Sequence, residues 1–112
     1  MPRDEVRLRH MLDAARKALE FMTGLSREDL DTDEQLPLAV VRLLEIVGEA
    51  ARHVTAETRA AHPEIPWRAI AGTRDRLIHG YFEVDMDVVW SIVTDDLPGL
   101  TRSLQGILGS GH

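Results

Sequence analysis

The chain has 112 residues, no cysteine, and 19 acidic against 13 basic side chains, for a formal net charge of -6. A chain of this length buries roughly two-thirds of the surface its unfolded form exposes, so it can build a core without covalent help, and the absence of cysteine excludes disulfides, thiolate nucleophiles and cysteine-based zinc sites. The acidic balance argues against a general coat on nucleic acid. It leaves a local basic site open, because net charge does not say where the charges lie.

The opening residues MPRDEVRLRHMLDAARKALEF alternate charged and apolar groups where a secretory signal needs an unbroken apolar run. No window approaches the roughly 18 uncharged apolar residues of a membrane span, so the expectation is a soluble cytoplasmic protein with no membrane partner. Apolar residues recur with a period near 3.6 rather than 2, which predicts an all-helical chain. A first helix is expected over about Asp4 to Thr23, with Leu8, Leu12, Ala15, Leu19 and Met22 on one stripe and Gly24 as its C-cap. The acidic connector LSREDLDTDEQLP follows, with a short turn at Ser26 and Asp29 placed three residues on, as in a capping box.

A longer second helix is expected from about Leu36 to Arg59. Its Gly48 costs about 1 kcal/mol relative to alanine in an exposed helix interior, and makes sense if another backbone approaches closely there. HPEIPW, residues 62 to 67, must break that helix, since each proline pushes its predecessor out of the helical region. Pro66 can then open a third helix carrying WRAIAGTRDRLIHG, with Gly72 kinking it or packing closely. Asp85 is a good N-cap for a fourth segment, MDVVWSIVTD, whose β-branched residues leave a strand as the minority reading. Asp95 or Asp96 before Leu97 and Pro98 is expected to start a last helix. The expected architecture is one domain over residues 1–109, a compact bundle of four to five helices, with residues 110–112 a frayed tail.

Polar chemistry concentrates in RDRLIHGYFEVD, residues 74 to 85, which holds two arginines, a histidine and the chain's one tyrosine. On a continuous helix Arg74 and His79 lie about 140° apart and could flank a cleft, while Asp75 and His79, four apart, share a face. Arg76, three before His79, is within reach of it. Such a set suits metal-independent RNA cleavage. Histidine moves the 2′-hydroxyl proton near neutral pH and arginine steadies charge on the phosphoryl oxygens. One histidine does not supply an acid and base pair within one chain, so another group, a second subunit or water must complete the transfers. Against this stands the plainer reading of a solvated helix face, with Asp75 paired to a neighbouring arginine or free in water. Trp67 and Trp90 read as core residues rather than base platforms. No HExxH, EF-hand, GxGxxG, P-loop or GxSxG pattern occurs, and the acidic connector lacks the ligand order of a calcium loop, so neither a metal site nor a cofactor is expected.

Taken in order, the glycine-glutamate-alanine of residues 48–50, the IPW of 65–67, R-x4-H-x-Y from Arg74 to Tyr81, the VD of 84–85, the VW of 89–90 and the DLP of 96–98 resemble the HepT-like branch of the HEPN superfamily. Those are helical proteins of toxin-antitoxin pairs, and the likeness covers nearly the whole chain. The resemblance implies a HEPN-like fold and an endoribonuclease toxin with Arg74 and His79 catalytic, Asp75 and Arg76 supporting, and the cleft formed between two subunits of a homodimer. It also implies a cognate nucleotidyltransferase antitoxin that transfers AMP to Tyr81, adding negative charge that repels RNA phosphates. Asp75 departs from the asparagine common in that family, and Gly80 from a position often acidic. An ionised Asp75 beside His79 favours the protonated imidazole, a better acid or phosphate binder than a resting base. Two other readings stay open: a catalytically idle RNA or nucleotide-binding helical module, and a structural partner of the antitoxin.

Overall fold

The computed structural model describes residues 2–79 and 83–109. In chain order they form α1 (Pro2–Met22), α2 (Asp29–Thr32), α3 (Gln35–Arg52), α4 (Ala56–Ala61), α5 (Trp67–Ala71), α6 (Thr73–Leu77), the two-residue strands β1 (Ile78–His79) and β2 (Glu83–Val84), α7 (Met86–Ser91) and α8 (Leu97–Leu108), with a π-helical turn, Ile92–Asp96, joining the last two. The chain is essentially all-helical, as its periodicity predicts. It is more finely divided than four or five helices: α1 to α6 and the unbroken Met86–Leu108 rod make seven helical segments.

At the centre of the core α1 packs on both α3 and α8. Leu8, Met11, Ala15 and Ala18 of α1 meet a buried set that includes Val40, Leu44, Val47 and Ala51 of α3 and Leu97, Leu100 and Leu104 of α8. Burying one such leucine or valine is worth roughly 1.5–3 kcal/mol, so these stripes, rather than helix propensity, hold the bundle together. Gly24 takes φ +77°, a left-handed conformation that closes α1 where the sequence places its cap. The acidic connector is put to structural use. Asp29 accepts from the Ser26 backbone N–H at 2.7 Å, Asp31 pairs with Arg27, and Asp33 accepts from the N–H groups of Gln35 and Leu36 at the start of α3.

Three expected boundaries are corrected, each by a tertiary or backbone demand. The second helix ends at Arg52, not Arg59, because Thr55 turns to cap α4 and gives both its backbone N–H (3.1 Å) and its hydroxyl (2.6 Å) to the buried Asp4 carboxylate on α1. Arg59 then satisfies carbonyls left at the break, donating to Val54 and Arg52. The third helix is two short ones meeting at Gly72, and it leaves helical geometry after Leu77. The fourth and fifth helices are one rod. Asp96 makes no capping bond, and the π-turn lets the helix run into Pro98, which has no N–H to donate. Asp85 does cap α7, accepting from Asp87 and Val88, and α7 is helical throughout, so the strand alternative falls.

Gly48 bears out the expected close approach. A Cβ there would stand 3.0 Å from the Ile70 carbonyl oxygen and 3.1 Å from Thr73 Cβ, so α3 and the α5–α6 pair touch backbone to backbone. Gly48→Val is expected to lower stability by about 1–3 kcal/mol, read as a shift in the urea unfolding midpoint. A wild-type midpoint in that variant would show that α5 and α6 yield freely.

Candidate active site

The segment that carries Arg74, Asp75 and Arg76 is held by its neighbours in sequence. Thr73 is buried and its hydroxyl donates to the Ile70 carbonyl at 2.6 Å, and Leu77 is 1% exposed, so both ends of α6 are anchored in the core. The three polar residues between them all face solvent. After Leu77 the backbone becomes extended at Ile78 (φ -90°, ψ 121°), and the freed Leu77 carbonyl accepts from the Asp85 N–H at 2.8 Å. β1 and β2 pair antiparallel, Ile78 opposite Val84 and His79 opposite Glu83.

This geometry revises the helical premise for His79. The residue lies on a strand, so neither the 140° separation from Arg74 nor the shared face with Asp75 applies. Among the described residues Asp75 forms no ion pair with either neighbouring arginine, in keeping with a solvated carboxylate. Tyr81 and Gly80 lie outside the described residues.

Arg74 and Arg76, two apart on α6, project to opposite sides, about 200° apart by helix geometry. Arg74 borders an open groove of about 440 Å³ between α3 and α5–α6, with Arg42, Glu45, Gly48, Glu49, Arg52 and Ala71. Arg76 borders a separate, largely apolar cavity of about 460 Å³ that reaches the π-turn, and its guanidinium lies 3.2 Å from Asp96. Among the described residues the two arginines thus border separate cavities. Trp67 is a core residue at 7% exposure, its indole N–H donating to the His62 carbonyl, and Trp90 packs against the core from its edge. Among the described residues no group of three or more His, Asp or Glu side chains is placed to hold a metal ion.

The α3 side of the Arg74 groove escaped the sequence reading. Arg42, Glu45, Glu49 and Arg52 recur at intervals of three, four and three, a charged stripe flanking Gly48. Attention to the polar face of α3 as well as its apolar one would have found it.

The sequence surrounding this geometry matches the family model described as Ribonuclease HepT-like over residues 11–107. The chain belongs to the HepT-like family. Among its relatives is the "Putative RNase TTE0752" of Caldanaerobacter subterraneus subsp. tengcongensis, 40% identical over 90% of each chain. The "Probable ribonuclease HepT" of Thermococcus cleftensis is 46% identical over 72% of this chain and 74% of its own. A third relative, the "Putative RNase MJ1380" of Methanocaldococcus jannaschii, is 33% identical over 85% of this chain and 87% of its own. No solved structure matches the chain. No helix among the described residues is long and apolar enough to cross a membrane.

Proposed function

We propose that this HepT-like chain is a metal-independent endoribonuclease toxin acting as a homodimer, with Arg74 and His79 of two subunits meeting in a shared cleft. The observation that carries the reading is the family match across residues 11–107, which contains R-x4-H-x-Y whole. Arg74 is exposed on an anchored helix and bordered by a groove, which leaves its guanidinium available to a phosphate. His79 removes the proton from a ribose 2′-hydroxyl, O2′ attacks the adjacent phosphorus, and the 5′-oxygen leaves and takes up a proton. Arg74 neutralises the charge that develops on the phosphoryl oxygens. The second histidine required for a two-step proton transfer comes from the other subunit. Asp75 and Arg76 support the site, Arg76 by tying α6 to the π-turn through Asp96.

This chemistry leaves a 2′,3′-cyclic phosphate and a 5′-hydroxyl. Cleavage of single-stranded RNA in excess EDTA, with those ends, is the expected result, and a 2′-deoxy substitution at the cut nucleotide abolishes it. Cleavage of the deoxy substrate, or 5′-phosphate products, would overturn the mechanism.

Regulation follows from the same site. A cognate nucleotidyltransferase antitoxin transfers AMP from ATP to the Tyr81 hydroxyl, which gives up its proton as pyrophosphate leaves, and the added negative charge repels RNA phosphates. With an active partner and ATP, the wild-type chain gains one or more AMP masses and loses nuclease activity, whereas Tyr81→Phe gains none and stays active. Retention of the mass gain in Tyr81→Phe would move the modification to another residue.

A further inference from the structure

The groove beside Arg74 carries charge that the cleavage step does not use. Arg42 and Arg52 of α3 stand on its far wall, about 15 Å apart along the helix axis, long enough to meet more than one phosphate of an extended strand. Both are exposed. The carboxylates between them oppose this only in part. Glu49 faces His53 at 3.1 Å, Glu45 reaches Arg42 only at 4.0 Å, and Arg52 has no ion pair among the described residues. Three guanidiniums against two carboxylates make a local reversal of sign in a chain of net charge -6.

We propose that Arg42 and Arg52, together with Arg74, form a phosphate track that holds the RNA strand flanking the cut. The proposal rests on the ribonuclease reading above and names the form of its substrate. A single strand suits the site, because O2′, phosphorus and O5′ must approach a line for the displacement, which a stacked duplex resists. Gly48 lets α6 sit against α3, so the same close packing that fixes the fold sets the spacing of the track.

The test is binding of a fully 2′-O-methylated single-stranded oligonucleotide, which cannot be cut, followed by fluorescence anisotropy over a salt series. Arg42→Ala and Arg52→Ala are each expected to weaken binding about fivefold at low salt and to reduce the slope of log affinity against log salt by about 0.7. In cleavage assays the loss appears in KM rather than kcat. Arg42→Lys recovers most of the affinity, because lysine also binds phosphate as a point charge, and Glu45→Gln binds more tightly than wild type. Arg9→Ala, an exposed arginine of α1 outside the groove, leaves affinity unchanged, which separates a local track from a net-charge effect. Wild-type affinity and salt slope in both Arg42→Ala and Arg52→Ala, with cleavage still abolished by Arg74→Ala, would overturn the track and leave the nuclease standing. A wild-type chain that neither binds nor cuts RNA would overturn both.

Discussion

Arg74→Ala and His79→Ala are each expected to lower the RNA cleavage rate at least about 100-fold, while the circular dichroism spectrum and the size-exclusion elution volume stay those of wild type. The magnitude follows from the roles. A positioned general base contributes about 10²–10⁴ in rate, and a preorganised cation at the developing phosphoryl charge about 10²–10³. The structural control is strong for Arg74, which is exposed and forms no ion pair among the described residues, so its removal deprives the fold of little. On the proposed toxin activity, the same substitutions are expected to relieve growth arrest in cells. A wild-type cleavage rate in either variant would remove that residue from the mechanism.

The second large effect concerns the buried Asp4. Its carboxylate is 3% exposed and accepts from the Thr55 backbone N–H and from the hydroxyls of Thr55 and Thr58. Asp4→Ala strips all of these donors of their partner at once, and is expected to cost about 3 kcal/mol, a large share of the stability of a small domain. The Thr55 hydroxyl, then the Thr58 hydroxyl, hold the Asp4 pKa below the ordinary carboxylate value. A group depressed in the folded state stabilises fully above its unfolded pKa, near 4, and that contribution fades as pH falls through the lower folded pKa. Wild-type stability should therefore fall more steeply than that of Asp4→Asn as pH drops below about 4, in urea melts at matched ionic strength. Parallel curves would show that Asp4 stays ionised to the same extent folded and unfolded.

Much of the fold was legible because it is local. The apolar stripes of α1, α3 and α8 lie within single helices, and the caps at Gly24 and Asp85 are written in residues whose backbone preferences are strong. What misled was distance in sequence. The stop at Arg52 is fixed by Asp4, 51 residues before Thr55, and the one local sign of it, Thr55 as an N-cap for α4, is weak beside the apolar run that precedes it. The β1–β2 pairing that takes His79 off the helix depends on residues 83 and 84, and it removes the i, i+4 relation that the spacing of Asp75 and His79 suggested.

The candidate site divides the same way. Its chemical inventory, Arg74, Asp75, Arg76, His79 and Tyr81, is readable in eight consecutive residues. Its arrangement is not. That Arg74 turns towards Arg42 and Arg52 while Arg76 turns towards Asp96 follows from how α6 docks, with Gly48 against Ile70 and Thr73 on one side and the π-turn on the other.

Sequence alone determined an all-helical, cysteine-free, acidic chain and the short segment in which its reactive groups collect, since periodicity, caps and composition act over a few residues. Only the tertiary structure decided where the second and third expected helices stop and which distant charges share a groove with Arg74. Those outcomes are set by buried hydrogen bonds and backbone contacts between elements far apart in the chain, whose energies no local pattern records.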